Sequence, residues 1–469
     1  MSAVTGPHRV AVLGAGITGL TAAWHLQRAG CEVVVYERSN RVGGAIGALR
    51  ADGWLHEFGP NSLLEGSPAV ADFVAGLGLA GRRLFASPAA RRRYIVRGGR
   101  LVALPASPLG FATTPLFSLR AKLRLLGEPW RPPAAPETDE SVADFVVRRL
   151  GREFLDYAIN PFVGGVYAGD PAQLSVRHGF PKLHALEQEH GSLLRGAWRR
   201  RNATGGPKGK MVSFPTGLRE LPETIFAQLG DVLRLRTAVA GLRRTASGWQ
   251  VAAEHDGVTF LEDYSAVVCA LPADALAGLP IDGVPEARQL AGIGAIPQPP
   301  VVSVFTGFRR TDVAHPLDGF GVLMPEIEQG KILGTLFSST LFPGRAPVDH
   351  VALTSFVGGV RQPELAGLGD AQLLAVVQHE LTRLLGVSAP PVFARIQRCP
   401  RAIPQYNLGY ERFKIAMAAV ERAAPGLFIG GNCRDGISLT HCIESGQRLA
   451  KTAGGFCGPH PQPDAFVPR

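Results

Sequence analysis

Short apolar runs alternate with an amphipathic stretch at the start of the chain. Residues 10–13 are all apolar, and residues 31–36 form a second β-rich run that a single glutamate interrupts. Between these runs, residues 20–27 place apolar side chains at helical spacing. The pattern predicts a strand, a helix and a second strand, which is the unit from which parallel sheets are built.

Similar patterns recur far along the chain. Residues 267–271 are an apolar run that ends at Pro272, which is typical of a buried strand. Residues 427–429 form another apolar run, and residues 442–450 after it have helical periodicity. We therefore expect late parts of the chain to join the early strands in one sheet.

The middle of the chain predicts a helix and a second sheet. Residues 141–150 carry apolar side chains at helical spacing, with Ser141 as the N-cap and Gly151 after the last turn. The β-rich runs 301–305 and 351–357 flank a third run at 334–338, and they predict a mixed sheet. Residues 371–385 predict a helix that covers this sheet.

A glycine-rich turn stands between the first predicted strand and helix. Gly14-Ala15-Gly16-Ile17-Thr18-Gly19 has the GxGxxG spacing, and Glu37 ends the second strand eighteen residues later. Glycines let the backbone approach a pyrophosphate, the helix N-terminus supplies N–H groups, and an acid can accept hydrogen bonds from a ribose. The order of these parts predicts a dinucleotide site.

The residues after Glu37 resemble the two-dinucleotide-binding flavoproteins of the amine oxidase superfamily. They are Arg41-Val42-Gly43-Gly44 and Glu57-Phe58-Gly59-Pro60-Asn61, and Gly430-Gly431-Asn432 with Gly436-Ile437-Ser438 resembles the closing flavin motif. The resemblance implies non-covalent FAD, since no His or Cys lies at a recognised attachment motif. The implied FAD-binding residues are Gly14, Gly16, Ile17, Thr18, Gly19, Glu37, Arg38, Arg41, Gly43, Gly44, Gly59, Pro60, Asn61, Val239, Gly431, Asn432, Ile437 and Ser438.

Longer strings resemble one family of this superfamily, the oxygen-dependent protoporphyrinogen oxidases. The strings are NPFVGGVYAGDP at 160–171, GFGVL at 319–323, LGTLFSS at 333–339, AIPQYNLG at 402–409 and CIESG at 442–446. The resemblance implies six-electron oxidation of protoporphyrinogen IX to protoporphyrin IX in porphyrin and haem biosynthesis. Oxygen would be the acceptor, giving three H2O2, and each two-electron step would move hydride from a methylene bridge to the flavin.

The resemblance also assigns substrate contacts. Arg93 falls on an arginine that pairs with a propionate, and Gly165 on a glycine whose carbonyl faces the macrocycle nitrogens. Leu323 and Leu336 fall on positions that enclose a pyrrole ring, Phe356 falls on a stacking position, and Asn61 lies where some relatives have arginine. The matching strings contain no general base, so no catalytic side chain and no metal ligand is assigned.

The predicted fold class is α/β, with a Rossmann-like FAD domain that is discontinuous in sequence. That domain would comprise residues 1–85, 211–284 and 401–455. A mixed α+β substrate domain would comprise residues 86–100 and 285–400. A helical, membrane-binding domain would comprise residues 101–210.

Charge adds a partner to this picture. The net charge is +10, and residues 73–127 contain ten basic side chains and no acidic one. Basic charge beside the apolar residues 101–119 suits an anionic membrane surface, with Leu109, Phe111, Leu116 and Phe117 in the interface. No apolar run is long enough to span a bilayer, and residues 1–9 lack the apolar core of a signal peptide. We therefore expect a monotopic protein on the cytoplasmic side of the cell or inner membrane. We expect no binding of nucleic acid, and a homodimer is compatible with this picture.

Three alternatives stay open. The Gram-positive branch of the same resemblance oxidises coproporphyrinogen III, although the plant and Gram-negative branch fits better. An amine oxidase would need an aromatic pair around the amine beside the closing motif, where Cys433-Arg434-Asp435 is polar. A flavin-free carrier on this fold, like the escort proteins of prenylated GTPases, would lack the closing motif that Gly430-Gly431-Asn432 provides.

Overall fold

A five-stranded parallel sheet unites the distant strand patterns of the chain. The computed structural model describes residues 8–203 and 209–458. Across the sheet the strands are Leu233–Arg234, Glu32–Tyr36, Arg9–Leu13, Ala266–Cys269 and Leu427–Ile429. Leu13 is in register with Tyr36 on one side and with Cys269 on the other. The predicted strands and their union in one sheet are confirmed.

The two faces of this sheet are covered by different layers, because successive strand side chains point to opposite sides. Val10 and Val12 pack against a helical layer, whereas Ala11 and Leu13 pack against a second sheet. The helices of the first layer are Ile17–Arg28, Glu220–Leu229 and Leu439–Cys457. The second sheet contains Val258–Tyr264, Trp249–His255, Thr237–Arg244 and Ile281–Asp282.

A seven-stranded mixed sheet forms the second large unit. Its strands in order are Phe393–Cys399, Val301–Arg309, His350–Gly358, Gly334–Leu336, Gly319–Leu323, Arg92–Arg97 and Arg100–Ala103. All neighbours are antiparallel except Gly319–Leu323 and Arg92–Arg97. The helix Asp370–Leu385 covers one face through Leu373, Val377 and Leu381, which confirms the predicted sheet and its covering helix.

Helices dominate the region between residues 108 and 203. They are Pro108–Thr113, Leu119–Leu126, Val142–Arg149, Arg152–Phe154, Asn160–Tyr167, Val176–Gly179, Pro181–His190 and Leu193–Ala203. The predicted N-cap is confirmed, since Ser141 Oγ accepts the Asp144 N–H at 3.0 Å. Arg149 is fully buried and pairs with Glu128 at 2.8 Å and Glu187 at 3.1 Å, so the region has an ionic interior.

Shorter elements connect these units. The strands Leu63–Glu65, Lys210–Ser213 and Leu84–Phe85 form a small sheet, and Ala48–Ala51 pairs with Trp54–Glu57. The remaining α-helices are Pro68–Gly76, Ala273–Ala277, Ser338–Leu341 and Glu411–Ala423.

Two predicted domain boundaries need correction. The strand Arg100–Ala103 extends the seven-stranded sheet past the predicted boundary at residue 100. The helical segment Pro285–Ala295 buries Leu290 and Ile293 in the same cluster as Met417 and Val420, so it packs with the predicted FAD domain. Sequence patterns could not place these boundaries, because they depend on which unit a segment packs against.

The predicted membrane-facing residues also need correction. Leu116 is 0% exposed and Phe117 is 5% exposed. Phe117 stacks on Phe154 with ring centres 4.3 Å apart, and Phe111 packs against both rings. Leu116 and Phe117 belong to the core, so their predicted entry into an interface is wrong, whereas Phe111 is only half-buried. Leu109 is 75% exposed, so burial does not contradict its predicted place in the interface.

Candidate active site

The glycine-rich turn lies where the central strands of the parallel sheet end. Gly14 N–H donates to Tyr36 O at 2.8 Å, and Ala270 N–H donates to Leu13 O at 3.0 Å. The turn therefore joins three strand ends at the point where the strand order reverses, which is where α/β sheets bind ligands. A side-chain Cβ on Gly19 would lie 2.0 Å from Gly14 O, so the helix approaches the turn more closely than any other residue allows.

The start of the helix Ile17–Arg28 has no side-chain cap. Its N-cap residue is Gly16, so no side chain accepts the first N–H groups. A Cβ built on Gly16 would meet no atom within 4 Å, which means that open space lies in front of these donors. Uncapped N–H groups and the helix dipole favour an anion there.

Glu37 holds the turn in shape. Its carboxylate accepts the Ala15 N–H at 2.8 Å and the Ser39 N–H at 2.9 Å. A carboxylate accepts about four hydrogen bonds, so it retains capacity for a ribose diol. Thr237 N–H donates to Glu37 O, so the strand that carries half-buried Val239 lies beside Glu37. Arg38, the residue after Glu37, is exposed.

The segments 41–44 and 57–61 continue this surface. Gly43 N–H donates to Ala15 O at 2.8 Å. Gly44 lies close to Gly16, since a Cβ built on Gly44 would be 3.3 Å from Gly16 Cα. Arg41 donates to Ile46 O at 2.9 Å and Gly44 O at 2.6 Å. A Cβ on Gly59 would lie 2.7 Å from Ala45 O. The predicted segments are thus brought together around the turn.

Pro60 and Asn61, the last residues of the segment 57–61, are only partly buried. Pro60 is half-buried between Gly59 and Asn61. The Asn61 amide donates to Gly59 O at 2.9 Å, which shapes its own loop.

The closing motif reaches the same place from the other side of the sheet. Gly430 N–H donates to Cys269 O at 3.1 Å, at the end of the neighbouring strand. Gly431 N–H donates to Asp435 Oδ2 and Ser445 Oγ. The helix Leu439–Cys457 then packs on Ile17–Arg28, where a Cβ on Gly446 would lie 2.5 Å from Thr18 O. Ile437 and Ser438 stand at its start, and Ser438 Oγ accepts the His441 N–H.

The residues of this site fit FAD. Three observations support this fit. Open space lies before the uncapped N–H groups at Gly16, and the Glu37 carboxylate has acceptor capacity left. Glycines from three distant segments also converge there. These features supply contacts for a pyrophosphate and a ribose. All the predicted FAD-binding segments therefore border one site, although each residue's contact with the cofactor stays a prediction.

We expect the flavin to be held without a covalent bond. Cys433 and Cys442 are buried beside the closing motif, and burial raises the pKa of these thiols to about 12 and about 11, so neither forms a reactive thiolate at neutral pH. Acid precipitation of purified protein should release all yellow colour into the supernatant. Flavin that stays with the pellet would contradict this expectation.

The predicted substrate residues meet on one face of the seven-stranded sheet. Two rows of directly paired residues cross the strands. One row is Leu323, Gly334 and Phe356, and the other is Leu336, Gly321 and Arg93. Directly paired residues share a face. Gly165 arrives from the helix Asn160–Tyr167, and a Cβ on it would lie 2.3 Å from Leu323 Cδ2. Residues far apart in sequence are therefore neighbours here.

This face is the one that meets the FAD-binding segments. Ser303 is paired with Phe356, and its Oγ lies 3.4 Å from His56 Nε2, two residues before Phe58. Glu57 ion-pairs with buried Arg345 at 3.3 Å. Burial raises the pKa of the Glu57 carboxyl to about 7, against the opposing effect of Arg345. The substrate face thus contacts the strand Trp54–Glu57, which leads directly into the segment 57–61.

Several structural partners of the site were not assigned from the sequence. Gln405 Nε2 donates to Tyr167 O at 2.8 Å, and Tyr406 OH donates to Asn432 O at 2.5 Å, so adjacent residues connect the substrate helix to the closing motif. Both residues lie in the string at 402–409, but nothing in that string indicates these contacts. Buried Arg345 and half-buried Arg361 had no recognisable sequence signal.

An aromatic pair does lie beside the closing motif. Tyr406 and Tyr410 donate to Asn432 O and Cys433 O, but their ring centres are only 4.3 Å apart and stacked. Rings in van der Waals contact leave no slot for an amine between them. The arrangement argues against the amine oxidase alternative.

Comparison with known proteins identifies relatives of this chain. Residues 17–453 match the flavin containing amine oxidoreductase family. Protoporphyrinogen oxidase 2 of Arabidopsis thaliana is 35% identical, with 96% of this chain and 94% of the relative covered. Coproporphyrinogen III oxidase of Bacillus subtilis is 28% identical, with 96% and 98% covered. A proposed protoporphyrinogen oxidase from Exiguobacterium sp. 255-15 superimposes with a TM-score of 0.81 at 24% identity, over 96% of this chain and 99% of that one.

Proposed function

This chain belongs to the flavin containing amine oxidoreductase family, within it to the protoporphyrinogen oxidases, and we propose on this premise that it oxidises protoporphyrinogen IX to protoporphyrin IX with oxygen. The observation that carries the proposal is the convergence of Gly165, Leu323, Leu336 and Phe356 on the sheet face that meets the FAD site. The protein is an FAD-dependent oxidoreductase. Bound flavin supplies a hydride acceptor that oxygen reoxidises to give H2O2.

The chain's own residues bind and orient the macrocycle. Leu323 and Leu336 offer apolar contact to a pyrrole ring, and Phe356 offers an aromatic face. The Gly165 carbonyl can accept a hydrogen bond from a pyrrole N–H. Arg93 is exposed at the end of this face and can form a two-point contact with a propionate. Catalysis then comes mainly from positioning, since no side chain in this set is a general base.

Oxygen uptake tests the proposed reaction. Purified, FAD-loaded protein should convert protoporphyrinogen IX to fluorescent protoporphyrin IX, and three H2O2 should form for each porphyrin. Absence of porphyrin formation above the spontaneous rate would refute the proposal.

Coproporphyrinogen III is the second candidate substrate, because the Bacillus relative covers nearly the whole chain at 28% identity. The two substrates differ at two positions, where one has vinyl groups and the other has propionates. A site for protoporphyrinogen needs apolar contacts at these positions instead of two more cations. Arg93 is the one cation among the proposed substrate contacts, which favours protoporphyrinogen over a substrate with two further propionates.

We also propose that an anionic membrane surface is a partner of the helical region. None of the described helices combines the length and the hydrophobicity that a membrane-spanning segment requires. The helix Leu119–Leu126 exposes Leu119, Leu123 and Leu126 by 71%, 58% and 66%, at a spacing that places them on one side. Trp130 and Leu109 are 78% and 75% exposed. Arg120 and Arg124 on the same helix are exposed and could meet lipid phosphates.

Replacing Leu119, Leu123 and Leu126 by serine should release the protein from membranes. Each leucine contributes about 1 kcal/mol or more when buried, so partition onto anionic liposomes should fall at least about tenfold in flotation assays. A variant with serine at Val258 and Leu261, which are similarly exposed on the second sheet, should float like the unmodified protein. Unchanged flotation of the triple variant would contradict the proposal.

A further inference from the structure

We propose that Arg361 is a positioning residue of the substrate site, which fixes the distance between the helix Asn160–Tyr167 and the strand Gly319–Leu323. The inference rests on the proposed function, because these two elements carry Gly165 and Leu323. Arg361 itself lies outside the strings that assign substrate contacts.

The guanidinium of Arg361 connects the two elements directly. Its Nη2 donates to Asn160 O at 2.6 Å and to Asn160 Oδ1 at 2.7 Å, at the first residue of the helix. Its Nη1 donates to Met324 O at 2.9 Å, one residue after Leu323. A planar guanidinium holds such donors in a fixed geometry, so the side chain acts as a spacer of defined length.

The contact is unusually close, and a pair of glycines makes it possible. A Cβ on Gly164 would lie 2.5 Å from Arg361 Nη2. A Cβ on the next residue, Gly165, would lie 2.3 Å from Leu323 Cδ2. The helix therefore presents bare backbone to both Arg361 and Leu323, at two consecutive residues.

Other hydrogen bonds fix the same helix at both ends. Asn160 Nδ2 donates to Glu326 Oε2 at 2.9 Å, and Glu326 N–H donates to Asn160 Oδ1 at 2.9 Å. At the far end, Val360 N–H donates to Ala168 O at 2.8 Å. The helix is thus held to the strand end that precedes Arg361, and Arg361 sets the position of its first turn.

Arg361 is not a second anion site. A cavity of about 360 Å³ lies beside it, lined also by Glu326, Gln329, Gly330, Ile332, Leu333 and Gln362. However, both terminal nitrogens donate to protein acceptors, and Nε, which has no hydrogen-bond partner, is buried. The cavity instead gives the neighbouring segment room to shift once the guanidinium is removed.

The test compares Arg361→Gln and Arg361→Lys with Arg398→Gln. Arg398 also donates to a main-chain oxygen, Ala366 O at 2.9 Å, but lies on the outer edge strand of the same sheet. Arg361→Gln should raise the KM for protoporphyrinogen IX about ten- to a hundredfold, since misplacement of about 1 Å has effects of this size. It should weaken binding of protoporphyrin IX, followed by fluorescence titration, in parallel, with FAD content unchanged. Lysine should recover part of the loss, and Arg398→Gln should match the unmodified enzyme.

A merely structural role would lower the melting temperature and leave KM and porphyrin binding as they are, and this result would overturn the inference. If Arg361→Gln does not fold, Arg361→Lys and Asn160→Ser provide the same comparison with smaller expected increases in KM. Unmodified enzyme that fails to oxidise protoporphyrinogen would instead refute the proposed function, so the two failures are distinguishable.

Discussion

Replacing Arg93 by alanine should raise the KM for protoporphyrinogen IX much more than it lowers kcat. Arg93 is exposed, and its guanidinium lies 5.4 Å from the centre of the Phe320 ring; no carboxylate within the described residues pairs with it. A propionate would be its partner, far from the reacting carbon, so the ground and transition states should lose similar binding energy. A charge-assisted hydrogen bond contributes about 1.5–3 kcal/mol, which is roughly 10- to 150-fold in kcat/KM.

Neighbouring substitutions show whether the effect is specific. Arg91→Ala removes the same charge from the same exposed run and should leave the kinetics unchanged. Arg93→Lys should recover only part of the loss, because lysine lacks the planar fork. Phe356→Ala should lower kcat as well, since loss of the stacking face lets the ring tilt. Normal kinetics of Arg93→Ala with full flavin content would leave the propionate without an assigned partner.

Replacing Gly16 by alanine should weaken FAD binding while leaving the folded protein nearly unchanged. Gly16 has φ of −67°, which alanine adopts freely, and the added Cβ would meet no protein atom within 4 Å. The change of N-cap should therefore cost at most about 1 kcal/mol of stability. A pyrophosphate at this helix start would meet the new methyl group, so we expect the Kd for FAD to rise at least about tenfold.

Flavin fluorescence titration of the apoprotein measures this change. Gly81→Ala is the matched control, because its Cβ also meets no atom within 4 Å and it lies away from the site. An unchanged Kd in the Gly16 variant would place the pyrophosphate elsewhere and would contradict the assignment of the GxGxxG turn.

The sequence predicted the parallel sheet and its ligand-binding edge because the relevant signals are local. A strand, a glycine-rich turn and a helix follow one another within residues 9–28, so their spacing reflects their geometry. Substrate contacts such as Leu323 and Phe356 came only from family resemblance, since alone they are ordinary apolar strand residues.

The errors and omissions concern tertiary contacts. Leu116 and Phe117 look like interface residues in an apolar, acid-free stretch, but Phe154 covers Phe117 in the folded chain. The bond from Arg361 to Asn160 joins residues 201 positions apart. No periodicity in the sequence reports such a contact, because each partner's neighbours are consistent with many folds.

Steady-state rates on two substrates distinguish the proposed substrate from its rival. With FAD-loaded protein and the same oxygen concentration, kcat/KM should be higher for protoporphyrinogen IX than for coproporphyrinogen III. Arg93 is the one cation among the proposed substrate contacts, so the two additional propionates of coproporphyrinogen III would lose hydration without gaining an assigned partner. A higher kcat/KM for coproporphyrinogen III would contradict the proposed substrate.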